Sequence, residues 1–105
     1  ALFGLGGDDT LQGDEGNDRL IGGSGADQFV FQTGADQIVD FEDDTDLLVL
    51  DLDTLGLLAG TTVADVLALA SVTAGDTVFD FGSGNTLSLE GITDIASLTD
   101  DIIFV

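Results

Sequence analysis

The chain has 105 residues, which is enough for one small domain. It carries 21 acidic side chains and a single basic residue, Arg19, so its net charge of −20 disfavours nucleic acids and anionic membrane surfaces as partners and favours cations. There is no Cys, which excludes a disulfide framework.

A nine-residue repeat occupies residues 4–30. Three consecutive units, beginning at Gly4, Gly13 and Gly22, keep Gly at positions one and four, Asp at position six and a large apolar residue at position eight. A degenerate fourth unit, residues 31–39, keeps the Asp and the apolar residue but has lost its first glycine. Such a period predicts a repeat architecture. A disordered glycine-rich linker is the alternative; it would not hold register over so many periods, although it stays open as a description of the metal-free chain.

Each unit predicts a tight loop followed by a short strand. Glycines permit the positive-φ conformations of such loops, and the last three residues of a unit suit a strand whose middle side chain points inward. Two units, eighteen residues, complete one coil, so unit one stacks on unit three and unit two on unit four. The expected strands are 10–12, 19–21 and 28–30, and the expected inward residues are Leu2, Leu11, Leu20, Phe29 and Ile38, with Leu47 continuing the spacing.

The aspartates at position six carry the chemistry of the repeat. Coils of a parallel sheet lie about 4.8 Å apart, so Asp9 is expected over Asp27, and Asp18 over Asp36. Two carboxylates at that distance repel by roughly 3 kcal/mol at an effective dielectric constant of about 20. A hard divalent cation between the loops reverses the sign, and oxygen ligands without Cys or His indicate calcium. Loop carbonyls freed by the glycine turns would complete the coordination shell.

This repeat resembles that of a known family. The pattern Gly-Gly-x-Gly-x-Asp-x-hydrophobic-x is typical of RTX (repeats-in-toxin) proteins, which form a calcium-binding parallel β-helix. Residues 22–30 match it in full, whereas Leu5 and Asp14 replace the second glycine. Segments within residues 29–47, and residues 80–89, are similar to the parts that follow the repeats in serralysin-type C-terminal domains. The resemblance implies an all-β fold: a parallel β-roll, residues 1–39, with a C-terminal strand and hairpin cap and one short helix, residues 40–105.

The repeat and the resemblance together define a candidate calcium site for two or three ions. One ion is expected between units one and three, and a second between units two and four. In RTX proteins an Asp at the place of Asp46 tends to close the last site, so a third ion would involve Asp27 and Asp46. The candidate ligand residues are Asp9, Asp18, Asp27, Asp36, Asp46, Gly4, Gly6, Gly13, Glu15, Gly23 and Gly25.

The acidic stretch after the repeats, residues 40–54, predicts a loop and then a strand at residues 47–50. An EF-hand is excluded there: counted from Asp44, position six is Val49 where Gly is needed, and position twelve is Leu55 where Glu is needed. The other acidic side chains of this stretch are interpreted as solvated surface charge: Asp43, Asp44, Asp51 and Asp53.

A helix is expected at residues 62–70. Thr62 is a suitable N-cap because Asp65 follows three residues later. The apolar residues at helical spacing are interpreted as core packing: Val63, Val66, Leu67 and Ala70.

The C-terminal part predicts a hairpin and a final strand. Residues 76–89 suit a hairpin that turns at residues 82–85 and covers the open end of the roll. Residues 93–98 predict a helical turn capped by Thr93. The last residues, 101–105, predict an edge strand; they also resemble the acidic-then-apolar ending of type I secretion substrates, and both readings hold if the signal is recognised before folding.

These expectations combine into one leading function. The chain is predicted to be a non-catalytic calcium-binding module at the C-terminus of a secreted protein, with the type I secretion machinery and an upstream domain as partners. It would stay unfolded in the calcium-poor cell and fold outside. Neither a signal peptide nor an apolar run of about 18 residues is found, so membrane insertion is not expected.

Two other functions are weighed against it. The repeat also resembles the R-modules of mannuronan epimerases, which suggests binding or modulation of a polysaccharide, although a charge of −20 repels a polyanion unless calcium bridges the two. An enzyme is disfavoured, because His, Cys, Tyr and Lys are missing and the carboxylate pairs are better explained as metal ligands.

Overall fold

The computed structural model describes residues 2–13, 16–42, 45–57, 60–82 and 84–105. Within these ranges, strands of the repeat alternate between two sheets. One sheet contains β1 (Leu2–Phe3), β3 (Arg19–Ile21) and β5 (Ala35–Ile38), and the other contains β2 (Thr10–Gln12), β4 (Gln28–Phe31) and β6 (Leu47–Leu50). All neighbours among these six strands are parallel.

The strand register confirms the predicted offset of eighteen residues between stacked strands. Leu11 lies opposite Phe29, and Leu20 lies opposite Ile38. These four side chains are buried, because alternation along each three- or four-residue strand sends the middle residue into the core. The glycine and aspartate period therefore predicted both the strands and their inward faces.

The spacing changes by one residue at β6. Phe29 pairs with Leu48, and Leu48 is buried whereas Leu47 is only half-buried. Leu47 keeps the nine-residue spacing of the sequence, but the inward position of this strand is taken by Leu48. The inward residues Ile38 and Leu48 are ten positions apart rather than nine, and before β6 the N–H groups of Thr45 and Asp46 both donate to the Glu42 carbonyl, at 3.1 and 2.9 Å.

The first strand also departs from expectation. Leu2 is 39% exposed rather than inward. β1 is the edge strand of its sheet and pairs with β3 alone, so Leu2 has a neighbouring strand on one side only.

A short helix follows the repeat region. Helix α1 (Val63–Leu67) begins with the predicted capping box, in which Asp65 N–H donates to Thr62 Oγ1 and Thr62 N–H donates to Asp65 Oδ2. The predicted extension to Ala70 is wrong, because Ala70 begins β7 (Ala70–Thr73) and its backbone pairs with another strand.

The expected hairpin is present and is joined to the repeat sheet. β8 (Asp76–Gly82) and β9 (Asn85–Leu89) are antiparallel, and β9 pairs in parallel with β5. With β7 on the far side of β8, the sheet has six strands in the order β1-β3-β5-β9-β8-β7. β7 was not predicted from the sequence, and its residues are mostly exposed.

The chain ends in a 3₁₀ helix (Ile95–Asp100) and β10 (Ile102–Phe104). Thr93 is not the cap: Asp94 occupies that position and makes no side-chain capping bond, while Ser97 Oγ donates to the Asp94 carbonyl at 2.6 Å. β10 pairs in parallel with β6 at the edge of the four-stranded sheet, which confirms the predicted edge strand.

Both sheets contribute to a single hydrophobic core. Its largest fully buried side chains include Phe29 and Phe31 of the repeat and Phe79 of β8. Helix α1 and the 3₁₀ helix each add one buried residue, Val66 and Leu98. Within the described ranges, no helix is long and apolar enough to cross a membrane.

Candidate metal centre

The aspartates at position six lie where each loop enters a strand. Asp9, Asp18 and Asp27 immediately precede β2, β3 and β4, and Asp36 lies within β5. Asp27, Asp36 and Asp46 are almost fully buried. The apolar residues two positions later are paired in register between the strands. The aspartates therefore lie at equivalent places in successive coils.

Hydrogen bonds join these aspartates between coils. The N–H of Asp9 donates to Asp27 Oδ1 at 3.0 Å, and the N–H of Asp18 donates to Asp36 Oδ1 at 2.8 Å. The N–H of Asp27 in turn donates to Asp46 Oδ1 at 2.8 Å. The structure therefore brings together the two pairs expected from the period, and it also joins Asp27 to Asp46, the pair that the resemblance implied.

The second carboxylate oxygen distinguishes these residues. Within the described part of the chain, Oδ2 of Asp9, Asp18 and Asp27 is buried and has no hydrogen-bond partner. Asp46 differs, because its Oδ2 accepts from the Glu42 N–H at 2.9 Å. A buried acceptor without a partner destabilises the folded state by about 1–3 kcal/mol, and by more when it is charged. A cation beside these three oxygens would remove that cost.

Glycine at position one makes room beside each of these oxygens. A Cβ placed on Gly4 would come within 2.8 Å of Asp9 Oδ2 and 2.7 Å of the Gly22 carbonyl oxygen. Cβ atoms on Gly13 and Gly22 would come within 2.6 and 2.5 Å of Oδ2 of Asp18 and Asp27. Position one therefore needs glycine for space, whereas the positive φ expected of the loops is found at position two, in Leu5 and Gly23, and at position four, as in Gly16 and Gly25.

Burial and neighbouring negative charge disfavour the ionised forms of Asp27 and Asp36 when no cation is bound. Burial raises the pKa of Asp36 to about 6, and the charge of Asp18 adds to the rise although the Asp18 N–H opposes it. Burial also raises the pKa of Asp27, and the charges of Asp46, Asp9 and Asp40 raise it further against the Asp9 N–H. The only basic side chain of the sequence, Arg19, is half-exposed and lies 3.7 Å from Glu90.

The available donors fit a hard cation. Among the described residues, no three Asp, Glu, His or Cys side chains gather as a metal cluster, so backbone carbonyls would have to supply part of any coordination shell. The Gly22 carbonyl and Asp9 Oδ2 border the same space beside Gly4. Carboxylate and carbonyl oxygens are the ligands that calcium takes in flexible loops.

The remaining candidate residues lie in the stacked loops. Gly23 and Gly25 pass so close to the carbonyls of Leu5 and Gly7 that neither has room for a side chain. Gly6 lies in the loop of unit one, with Ser24 Oγ 3.6 Å from the place of its missing Cβ. Glu15 lies outside the described residues.

Three polar residues outside the candidate set also hold the loops together. Asp40 accepts from the N–H groups of Gly22 and Gly23 at 2.8 and 2.7 Å. Asp8 and Asn17, both at position five of their units, accept from the coil above through Oδ1. The nine-residue spacing of Asp8 and Asn17 is their sequence signal, although position five is variable in the RTX pattern.

Comparison with known proteins agrees with this geometry. Residues 3–38 match the model of the RTX calcium-binding nonapeptide repeat, in four copies. These residues are RTX repeats. No curated protein sequence matches the chain significantly. The loops that hold the stacked aspartates are thus the repeats of a calcium-binding family.

Solved structures extend the likeness beyond the RTX repeats. The AlgE6R3 subunit of the Azotobacter vinelandii mannuronan C5-epimerase superposes with a TM-score of 0.63 at 27% identity, over 97% of this chain and 66% of the subunit. The extracellular lipase LipA of Serratia marcescens gives 0.63 at 26% identity, over 94% of this chain and 20% of the lipase. The C-terminal domain (RV) of MpAFP gives 0.56 at 28% identity, over 86% of this chain and 75% of that domain. Strands after the repeats therefore also belong to a shared architecture.

Proposed function

We propose that this chain is a non-catalytic calcium-binding RTX module that folds when it meets extracellular calcium and so supports export and stability of an upstream domain. One observation carries the proposal: Asp9, Asp18 and Asp27 each keep a buried carboxylate oxygen that has no hydrogen-bond partner in the described structure. When bound, calcium supplies the positive charge and the oxygen coordination that these carboxylates lack.

The charge of the chain makes folding depend on the cation. At −20, the chain repels itself in its compact form, and the stacked aspartates repel locally. A cation that binds only the folded state stabilises it by mass action. Extracellular calcium-binding modules have dissociation constants of roughly 0.1–1 mM, so the module would be unfolded and exportable inside the cell and folded outside.

The ligand set follows from the stacking. One ion would lie between units one and three, with Asp9 and Asp27, and another between units two and four, with Asp18 and Asp36. Loop residues Gly4, Gly6, Gly13, Glu15, Gly23 and Gly25 would complete the shells. A third ion between Asp27 and Asp46 has less support, because both oxygens of Asp46 already accept backbone N–H groups.

The part after the repeats would act as a cap. β9 continues the sheet from β5, and β10 continues the other sheet from β6, so both sheets extend beyond the last repeat. We assign residues 1–39 to the roll and 40–105 to this capping region. Residues 101–105 would serve as a secretion signal before folding and as β10 afterwards. Likeness to an extracellular lipase supports a location outside the cell.

A calcium titration tests the proposal. Far-UV circular dichroism starts from the chelated chain and is repeated with magnesium. We expect a cooperative gain of β signal with calcium alone, because magnesium demands a tighter octahedral shell and keeps its waters. A chain already fully folded in chelator would overturn the folding role of calcium.

Polysaccharide binding is the second candidate. Its support is the match to the mannuronan C5-epimerase subunit, which spans 97% of this chain. Such binding would need calcium to bridge the acidic module and an acidic glycan. Pull-down on alginate and on neutral glycans, each with calcium and with chelator, separates the candidates: retention on alginate in calcium alone would favour the second.

A further inference from the structure

Position five of the repeat is variable in the RTX pattern, yet two of its side chains bridge coils here. Asp8 Oδ1 accepts from the Ala26 N–H at 2.9 Å, and Asn17 Oδ1 accepts from the Ala35 N–H at 3.0 Å. Each bond spans eighteen residues, the length of one coil. The two bonds are therefore the same structural element in consecutive half-coils.

Each of these bonds has a reciprocal partner one residue further along. Beside the Asp8 bond, the Asp9 N–H donates to Asp27 Oδ1 at 3.0 Å. A side chain of the first coil thus accepts from the second coil, and a side chain of the second coil accepts from the first. The two bonds close a ring between residues 8–9 and residues 26–27, which we call the first ring.

The second ring has the same construction in the other stack. It joins residues 17–18 to residues 35–36 through the Asn17 bond and the bond from the Asp18 N–H to Asp36 Oδ1 at 2.8 Å. Each ring contains the backbone N–H of the residue before the later aspartate and Oδ1 of that aspartate. The rotation of the later carboxyl group about its side-chain bonds is therefore restricted.

The two rings differ in charge but not in geometry. Asp8 supplies a carboxylate oxygen and Asn17 an amide oxygen, and both side chains are exposed. What they share is an acceptor at the right place, not a negative charge. The junction between Asp27 and Asp46 differs from the two rings. Position five is Ala26 there, which has no side-chain acceptor, and in the described structure the bond from the Asp27 N–H to Asp46 Oδ1 stands without a ring.

We propose that Asp8 and Asn17 are positioning residues, which aim the carboxylates of Asp27 and Asp36 at the gap between the coils and act as hydrogen-bond acceptors rather than as calcium ligands. The proposal rests on the calcium-binding function above. It makes position five a determinant of calcium affinity in the two coils where an acceptor is present, and leaves it without effect where the residue is alanine.

The test separates the acceptor from the charge. Full-length Asp8→Ala and Asp8→Asn are compared in a calcium titration followed by circular dichroism, with Asp53→Ala and Asp53→Asn as controls, because Asp53 is an exposed aspartate outside the repeats. Loss of one such bond should raise the calcium midpoint of Asp8→Ala roughly twofold over that of Asp8→Asn. Asp8→Asn should match Asp53→Asn, since both only remove one charge.

Amide hydrogen exchange at saturating calcium locates the effect. In Asp8→Ala we expect faster exchange at Ala26 and unchanged exchange at Ala35, and in Asn17→Ala the reverse. Equal midpoints for Asp8→Asn and Asp8→Ala, both above the Asp53 controls, would show that the carboxylate charge matters and would overturn the proposal. Equal midpoints for Asp8→Ala and Asp53→Ala would overturn it as well.

Two further outcomes are informative. If Asp8→Ala does not fold at any calcium concentration, Asp8→Asn decides: folding at the midpoint of Asp53→Asn supports the positioning role, and failure to fold overturns it. A wild-type chain that shows no calcium response contradicts the proposed function instead, while exchange at Ala26 and Ala35 in that chain still reports whether the rings form.

Discussion

Individual residues of the repeat have separable tasks. Position six supplies a carboxylate with one buried, unpartnered oxygen, as in Asp9 and Asp18 of the described structure. Position one is glycine for space, and position four is glycine for positive φ. Leu5, which replaces the second glycine of unit one, is held at a φ of 69°, a conformation that side chains disfavour by about 1–2 kcal/mol.

At this scale, Asp27→Ala is the most damaging aspartate substitution. The side chain of Asp27 accepts from the Asp9 N–H, and its pKa is raised by burial and by the charges of both Asp46 and Asp9, so its carboxylate would face the ions of two junctions. The bond from its backbone N–H to Asp46 remains in the variant. We expect the calcium midpoint of folding to rise about tenfold or more, equivalent to roughly 1.4 kcal/mol. Circular dichroism with added calcium measures it, beside Asp53→Ala. A wild-type midpoint would show that the stacked aspartates do not bind calcium.

At the scale of elements, the strands after the repeats depend on turns and on neighbours. β7 and β8 are joined by two residues, Ala74 and Gly75, whose φ angles are 54° and 84°. Two positive φ angles define the tight hairpin turn that favours Asn-Gly. Ala-Gly is a weak form of that signal, which is why this strand pair was not predicted from the sequence.

Ala74→Asn should therefore stabilise the β7–β8 hairpin. Asn tolerates the left-handed conformation better than Ala, so we expect the free energy of unfolding at saturating calcium to rise by about 0.5–1 kcal/mol. Urea denaturation measures the change. Gly75→Ala is the matched control. It should lower stability through backbone strain alone, because the φ of Gly75 is 84° and a Cβ added there would meet no atom within 4 Å. A loss of stability in Ala74→Asn would contradict the turn assignment.

At the scale of the whole molecule, acidity dominates. The chain has a net charge of −20, and it buries Asp27 and Asp36 of the repeats and Asp46 of the following segment almost completely. Burying carboxylates that lack a counter-charge disfavours the folded state. Calcium or protons relieve this cost, and the two compete because a calcium ligand must be deprotonated.

The calcium-free chain should therefore gain structure on mild acidification. The folded pKa of Asp36 is about 6 against an ordinary 3.8, so between these values the folded state binds a proton that the unfolded state does not. The free energy of unfolding then rises as pH falls toward 4 and declines as pH rises through about 6. Circular dichroism of the calcium-free chain at pH 7 and at pH 5 should show more β signal at the lower pH.

Asp36→Asn is the control for that titration. It removes the titrating group but keeps a side-chain oxygen that can accept the Asp18 N–H. Its calcium-free signal should depend less on pH than that of the wild type. An equal or stronger pH dependence in Asp36→Asn would mean that Asp36 does not account for the effect.

The period of nine residues determined a large part of this molecule. It predicted the coil length, the pairing of Leu11 with Phe29 and Leu20 with Ile38, and the stacking of Asp9 on Asp27. These features follow from residues within one coil, because glycine conformation and strand alternation act locally. The capping box of α1 was predicted for the same reason.

Only the tertiary structure decided the features that join distant residues. The one-residue shift at β6 depends on a turn closed at Glu42, and the Asp40 bonds to Gly22 and Gly23 join two coils. The rings of Asp8 and Asn17 likewise connect side chains to backbone eighteen residues away. Such bonds carry no local pattern, because their energy depends on which coil stacks on which, and that is settled when the chain packs.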